Sequence, residues 1–174
     1  MNAMGKPPVA AEHFIAAMGL AATGVSVVTT DGPQGRFGLT VSAVSSVSAD
    51  PPLILVCINR RSPAAAAVDA NGLFAVSILG AGHRAYAETF SGRPREGRPF
   101  DFSHHAWRDG DTGLPLVEDA TAAFECEIHQ HLDAGTHRIF IGRVVAAHRG
   151  SAEPLVYCNR AFRRIVHLTK ETEP

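Results

Sequence analysis

The sequence has no long hydrophobic run, few aromatic residues and no excess of charge of either sign. Its longest uninterrupted apolar segment, residues 53–58, has the length of a β-strand and is far shorter than a membrane span. The 16 Lys and Arg residues are balanced by 17 Asp and Glu residues, so no overall positive field attracts phosphates. We therefore expect neither a membrane protein nor a nucleic-acid-binding protein.

Cysteine is also scarce, and no secretion signal is evident. The three cysteines, Cys57, Cys126 and Cys158, are odd in number and far apart, which favours free thiols in a reducing cytoplasm. Residues 1–8 lack the apolar segment of a signal peptide. A chain of 174 residues with 45% hydrophobic residues suits one globular domain. We predict a flexible N-terminus (1–8), one domain (9–169) and a C-terminal tail (170–174).

The pattern of apolar and turn-forming residues predicts seven or eight strands and two or three short helices. Runs rich in β-branched or alternating apolar residues predict strands at 25–30, 37–47, 53–58, 74–79, 122–131, 138–148, 155–158 and 163–168. Helical spacing or composition predicts helices at 9–20, 64–70 and 83–90. The Arg-, Gly- and Pro-rich segment 91–100 is predicted to be a loop. Short turns between strands favour a mainly β fold, a closed or nearly closed antiparallel barrel.

A hydroxyl-rich segment at 38–48 is the first candidate binding element. In a regular strand Thr40, Ser42, Ser46 and Ser48 would share one face, and Ser45 would lie on the other. Small hydroxyl side chains leave the backbone accessible and suit a flat polar heterocycle or a phosphate. The same composition is typical of an ordinary solvent-facing strand, and both interpretations stay open.

A strand-to-helix junction at 57–63 is the second candidate. Free backbone N–H groups at a helix start, the Ser62 hydroxyl and the side chains of Arg60 and Arg61 could together bind an anion. Ser62 is equally a plausible N-cap before Pro63, with the two arginines simply solvated.

Histidines provide the third candidate. His137 lies where a loop after Gly135 becomes a strand, although a lone histidine is more often structural than catalytic. His129 and His131 could form two metal ligands but lack an evident third, so we expect no metal. The chain has no glycine-rich dinucleotide fingerprint, phosphate-binding P-loop, nucleophile elbow or His-Glu-x-x-His motif.

Taken in order, these segments resemble the flavin reductase-like family, whose fold is the FMN-binding split barrel. The matching segments include GLTVSAVSSVS at 38–48 followed by Pro51-Pro52, LVCIN at 55–59 with Ser62, FSG at 90–92, GTH at 135–137, IFIG at 139–142 and PLVY at 154–157. The resemblance runs from about residue 14 to residue 168. It implies a mainly β, antiparallel Greek-key split β-barrel with a few short peripheral helices.

The resemblance also implies a set of site residues. It places the isoalloxazine and ribityl chain of a flavin along Thr40, Val41, Ser42, Ala43, Ser45 and Ser46. It places the ribityl chain and phosphate near Cys57, Ile58, Asn59 and Ser62, with Arg98 as a basic residue lent by the loop after the second helix. His137 would help to place the nicotinamide, next to Thr136 where many relatives have Asp.

The function implied is that of a flavin reductase that uses NADH or NADPH. Hydride would pass from the nicotinamide to FMN or FAD, and reduced flavin would leave for a partner flavin-dependent monooxygenase, as in the small reductase component of two-component systems. The family also implies a homodimer with the flavin near the subunit boundary. Relatives that act in pyrimidine catabolism or reduce corrinoids leave the acceptor open. The alternative is a flavin-binding module or electron-transfer flavoprotein that does not turn over free flavin.

Overall fold

The computed structural model describes residues 7–166, which form three short helices and twelve strands. The helices are α1 (Ala11–Met18), α2 (Pro63–Asn71) and α3 (Arg84–Phe90). The strands are β1 (Thr23–Gly24), β2 (Ser26–Thr30), β3 (Phe37–Val41), β4 (Val44–Ala49), β5 (Pro52–Asn59), β6 (Leu73–Ile78), β7 (Trp107–Asp109), β8 (Pro115–Val117), β9 (Ala122–Ala134), β10 (His137–Arg149), β11 (Leu155–Cys158) and β12 (Ala161–Arg164). The prediction of a mainly β fold is confirmed.

Seven strands form the main antiparallel sheet, in the order β3-β2-β6-β9-β10-β5-β4. The two strands at its ends, β3 and β4, are separated in sequence only by Ser42 and Ala43. The two edges of the sheet must therefore meet, and the sheet curls into a barrel that stays open between them. Ala43 continues the pairing of β4 with β5, because its carbonyl oxygen accepts the Cys57 N–H at 3.1 Å. We call this opening, at Ser42 and Ala43, the seam. The antiparallel split barrel is confirmed.

Two predictions about the strands beside the seam are wrong. Residues 37–47 are not one strand, because residues up to Val41 pair with β2 whereas those from Val44 pair with β5, at the opposite edge. The continuous apolar run at 53–58 predicts a strand buried on both faces, but only one of its faces is buried. Ile54, Val56 and Ile58 point into the barrel, while the alternate residues of β5 remain partly exposed.

Large apolar side chains fill the interior of the barrel. Val56, Ile58, Phe74 and Phe140 are completely buried in one cluster. Gly142 lies directly against that cluster, because a Cβ atom there would stand 2.5 Å from Cζ of Phe74. The sequence places glycine where two layers of the fold approach closely.

Several elements differ in extent from the prediction. The short strands β7 and β8 were not predicted, since three residues are too few to display a period of two. β9 and β10 are longer than predicted and carry one-residue bulges at His129 and Val145. The last strand ends at Arg164 instead of residue 168, and residues 167 and 168 lie outside the described part. The predicted C-terminal tail and most of the predicted flexible N-terminus also lie outside the described residues.

The first helix is present as predicted, but its apolar residues touch no core. Phe14, Ile15 and Met18 are all more than half exposed, and α1 has no buried residue. Among residues 7–166, none of the helices has the length and apolarity needed to cross a membrane.

Candidate active site

A recess of about 500 Å³ lies at the seam, and it is formed by residues distant in sequence. Its walls come from the end of β3, the seam, the end of β5 and the turn between β9 and β10. The lining residues are Leu39, Thr40, Val41, Ser42, Ala43, Cys57, Asn59, Ala134, His137 and Ile139. Seven of the twelve predicted site residues are therefore brought together. We call it the seam recess.

The seam leaves two backbone N–H groups available for a ligand, although β5 uses the Ala43 carbonyl oxygen. Ser42 and Ala43 lie outside both strands, are exposed, and their N–H groups find no acceptor among the described residues. Thr40 differs, since its hydroxyl donates to the Ala87 carbonyl oxygen at 2.9 Å and so ties β3 to α3. The recess thus offers small side chains and free backbone donors, which suit a flat heterocycle with carbonyl groups.

His137 enters the recess because β10 begins there. It pairs directly with Asn59 of β5, so the ends of the two strands lie side by side. The Thr136 hydroxyl lies 2.9 Å from Nδ1 of His137, and the Thr136 carbonyl oxygen accepts the Arg60 N–H at 3.0 Å. Because the Thr136 hydroxyl contacts Nδ1, Nε2 is the ring nitrogen that can bind a ligand. Thr136 thus orients the imidazole without a carboxylate.

Cys57 and Asn59 contribute neutral groups to the wall. Burial raises the pKa of the Cys57 thiol, so it is protonated at neutral pH and is not a nucleophile. The Oδ1 atom of Asn59 accepts the Arg61 N–H at 2.9 Å, which leaves its amide NH₂ as the group that can donate to a ligand. The wall is polar and uncharged here.

The five other predicted site residues do not line the seam recess. Ser45 and Ser46 lie exposed on the edge strand β4, and Ile58 is 0% exposed, so its side chain cannot touch a ligand. Ser62 occupies the predicted N-cap position of α2, before Pro63, although its hydroxyl makes no capping bond. Arg98 faces a separate recess together with Arg95, His104 and His105 among others, away from the seam.

A second, larger cleft adjoins the seam recess and was not predicted. Its volume is about 590 Å³, and it shares Thr40, Val41 and Ser42 with the recess. Its other walls are the exposed side of α3, the loop that follows α3, and the hairpin of β11 and β12, which supply Arg84, Arg93 and Arg160 respectively. Arg160 is far in sequence from Arg84 and Arg93, and the three belong to no motif. The only sequence signal was the abundance of arginine at residues 84–98, which does not include Arg160.

The described residues do not assemble a metal site from His129 and His131. His129 occupies a bulge, and Nε2 of His131 is 3.2 Å from an oxygen of Asp69. Within residues 7–166 the one group of three possible ligands is Asp111, Glu125 and His148. The Glu125 carboxylate is already satisfied there by protein donors, which makes this cluster an anchor for the loop before β8.

Comparison with known proteins agrees with this geometry. Residues 18–166 match the family described as flavin reductase like domain. An FMN reductase (NADH) RutF of Ancylobacter novellus is 42% identical over 161 residues, covering 91% of this chain and 87% of that protein.

Two solved structures share the fold. BorF, the flavin reductase component of a bacterial two-component tryptophan halogenase, superposes with a TM-score of 0.81 at 34% identity, covering 91% of this chain and 100% of that one. The NADH:FAD oxidoreductase SgcE6 of Streptomyces globisporus, in complex with NAD and FAD fragments, gives a TM-score of 0.80 at 32% identity and covers 93% and 94% of the two chains. The chain therefore belongs to the flavin reductase-like family.

Proposed function

We propose that this protein uses NADH to reduce FMN or FAD and releases the reduced flavin to a partner oxygenase. The observation that carries the proposal is the seam recess, where free backbone donors, small side chains and His137 converge on one opening. The relative from Ancylobacter novellus is named an FMN reductase that uses NADH, and SgcE6 uses NADH and FAD. BorF is the reductase component of a two-component tryptophan halogenase and SMOB is a styrene monooxygenase flavin reductase, which supports delivery of reduced flavin to a partner enzyme.

The residues of the recess suit the binding of a flavin ring. The ring supplies the hydride-accepting centre when it is bound. In this proposal the N–H groups of Ser42 and Ala43 donate to its carbonyl oxygens and stabilise the negative charge that reduction creates. Burial raises the pKa of the Cys57 thiol further above neutrality, so this residue would contribute an uncharged wall beside the ring.

His137 acts as a positioning residue for the nicotinamide. Its Nδ1 is engaged by Thr136, so Nε2 can donate to the carboxamide and hold the dihydropyridine against the flavin. Hydride transfer needs no general acid or base, and the described walls of the recess contain no carboxylate. The protein contributes orientation of the two rings.

We also propose that two copies of the chain form a homodimer. The apolar face of α1 contacts no core, and the outward residues of β5 are only partly covered by the described chain. Apolar surface of this kind is typical of interfaces between subunits. A second copy would cover these faces.

The proposal is tested by mixing protein, NADH and FMN without oxygen and following the yellow colour of the flavin. Catalytic bleaching is expected, whereas binding without bleaching would favour a flavin-binding module that does not turn over. Ala43→Leu should abolish the bleaching, because a large side chain would fill the recess. Ala49→Leu, at the far end of β4 and away from the recess, is the matched control and should keep wild-type turnover. Equal activity of both variants would refute the assignment of the seam recess.

A further inference from the structure

The larger cleft beside the seam recess has an excess of positive charge. Three guanidinium groups, from Arg84, Arg93 and Arg160, face a single carboxylate, that of Glu88. The remaining polar groups are hydroxyls, of which that of Ser91 donates to the backbone of α3. A cleft with this composition attracts anions.

Two of the three arginines are free to bind a ligand. Arg84 is held by Glu88 at 2.7 Å and lies over the ring of Phe162 at 5.3 Å, so part of its charge is compensated. Arg93 and Arg160 form no ion pair with any residue between 7 and 166. Glu88 also meets Arg95 at 3.1 Å, which compensates its carboxylate further. The cleft therefore keeps most of its positive charge for a ligand.

Arg160 occupies its position in the cleft against a conformational preference. Asn159 and Arg160, at the tip of the hairpin of β11 and β12, have φ values of 48° and 58°. A tight turn with two positive φ values strongly favours Asn followed by Gly, and a side chain at the second position is strained. The chain nevertheless has arginine there, which places a guanidinium at the cleft. Such strain is commonly found where a residue has a functional role.

We propose that this cleft binds a phosphate group of a nucleotide substrate, with Arg160 and Arg93 as its direct ligands. The inference rests on the proposed function, and it extends the site beyond the seam recess. The shared residues Thr40, Val41 and Ser42 let one ligand occupy both spaces. The phosphate belongs either to the flavin or to the nicotinamide dinucleotide.

Arg160→Gly tests the proposal and is not expected to destabilise the fold. It removes the guanidinium and installs the residue that the turn prefers, so its midpoint of thermal unfolding should equal or exceed that of the wild type. Arg163→Gln, on the same hairpin but outside the cleft lining, is the matched control for a loss of charge. Arg93→Gln is the second variant. It leaves the hairpin turn unchanged and should raise the same KM values as Arg160→Gly.

KM values are measured for FMN, riboflavin and NADH. If the cleft binds the flavin phosphate, Arg160→Gly raises the KM for FMN about tenfold and changes that for riboflavin less than about twofold, because only FMN carries the phosphate. If it binds the dinucleotide phosphates, the KM for NADH rises about tenfold with either flavin. Both results support the proposal, and raising the salt concentration should weaken the effect.

The proposal is overturned if all three KM values stay at those of the control, or if the KM for riboflavin rises as much as that for FMN while that for NADH is unchanged. Failure of the proposed function is separate, since the wild-type protein would then reduce neither flavin.

Discussion

Glu125 provides the sharpest test of how this fold is stabilised. It lies on β9, is completely buried, and accepts hydrogen bonds from the Asp111 N–H at 2.9 Å, the Thr112 N–H at 2.7 Å and the Thr112 hydroxyl. Nε2 of His148 lies 2.8 Å from the same carboxylate. The carboxylate thus joins the loop before β8 to the long strands β9 and β10.

The size of the effect follows from the pKa of this group. Burial alone would raise the pKa of Glu125, but hydrogen bonds from Thr112, His148 and Asp111 outweigh it and lower the pKa from the ordinary 4.5 to about 2. Each pKa unit corresponds to about 1.4 kcal/mol, so the lowered pKa corresponds to about 3 kcal/mol of stability. Because the pKa is lower in the folded state, this contribution is complete above about pH 5 and is lost as the pH falls from 4.5 towards 2.

Urea unfolding of the wild type and of Glu125→Gln, measured from pH 7 down to pH 3, checks the reasoning. The amide keeps the size of the side chain but cannot accept all these hydrogen bonds, so Glu125→Gln should be about 3 kcal/mol less stable at pH 7. Its deficit should shrink steadily below about pH 4.5 as the wild-type carboxylate begins to take up a proton.

Glu127→Gln is the matched control for this experiment. Glu127 lies two residues along β9, is exposed, and pairs with Arg143, so the free energy of unfolding should change by less than about 1 kcal/mol. Parallel pH curves for the wild type and Glu125→Gln, or an equal loss in the control, would refute the structural argument.

Three further predictions concern packing, catalysis and assembly. Gly142→Ala should lower the free energy of unfolding by about 1–3 kcal/mol in chemical denaturation, because its methyl group would enter the filled barrel core. A free energy of unfolding equal to that of the wild type would mean that the core relaxes around the added methyl group. His137→Ala should raise the KM for NADH roughly tenfold while flavin affinity in a fluorescence titration stays near that of the wild type. A loss of flavin affinity with an unchanged KM for NADH would instead assign His137 to the flavin site. Phe14→Ser combined with Met18→Ser should convert a dimer to a monomer in sedimentation experiments, whereas Glu12→Ser should not. An unchanged dimer would exclude α1 from the interface.

The seam shows why the site could be predicted only in part. The run of small hydroxyl residues around Ser42 was visible in the sequence, but regular alternation along one strand was expected. The actual strand breaks at Ser42 and Ala43, since its two halves belong to opposite edges of the sheet. Edge membership depends on pairing with distant strands, and local spacing does not encode it.

The placement of arginines shows the same limit. Arg98 was expected at the flavin because of its loop, yet it faces another recess, whereas Arg160 reaches the cleft from a hairpin far along the chain. A charged side chain has no periodic signal, so its neighbours are set by tertiary contacts. The helices and most strands, in contrast, follow from local spacing, capping residues and turn chemistry.

The sequence by itself determined the strand-rich composition, the positions of the three helices and the small polar residues from which a flavin site can be built. Only the tertiary structure decided that the sheet stays open at Ser42 and Ala43, that His137 stands beside Asn59, and that Arg160 shares a cleft with arginines far earlier in the chain. The physical reason is that alternation and turn propensity act over a few residues. The closure of a barrel, in contrast, depends on the pairing of strands separated by most of the chain.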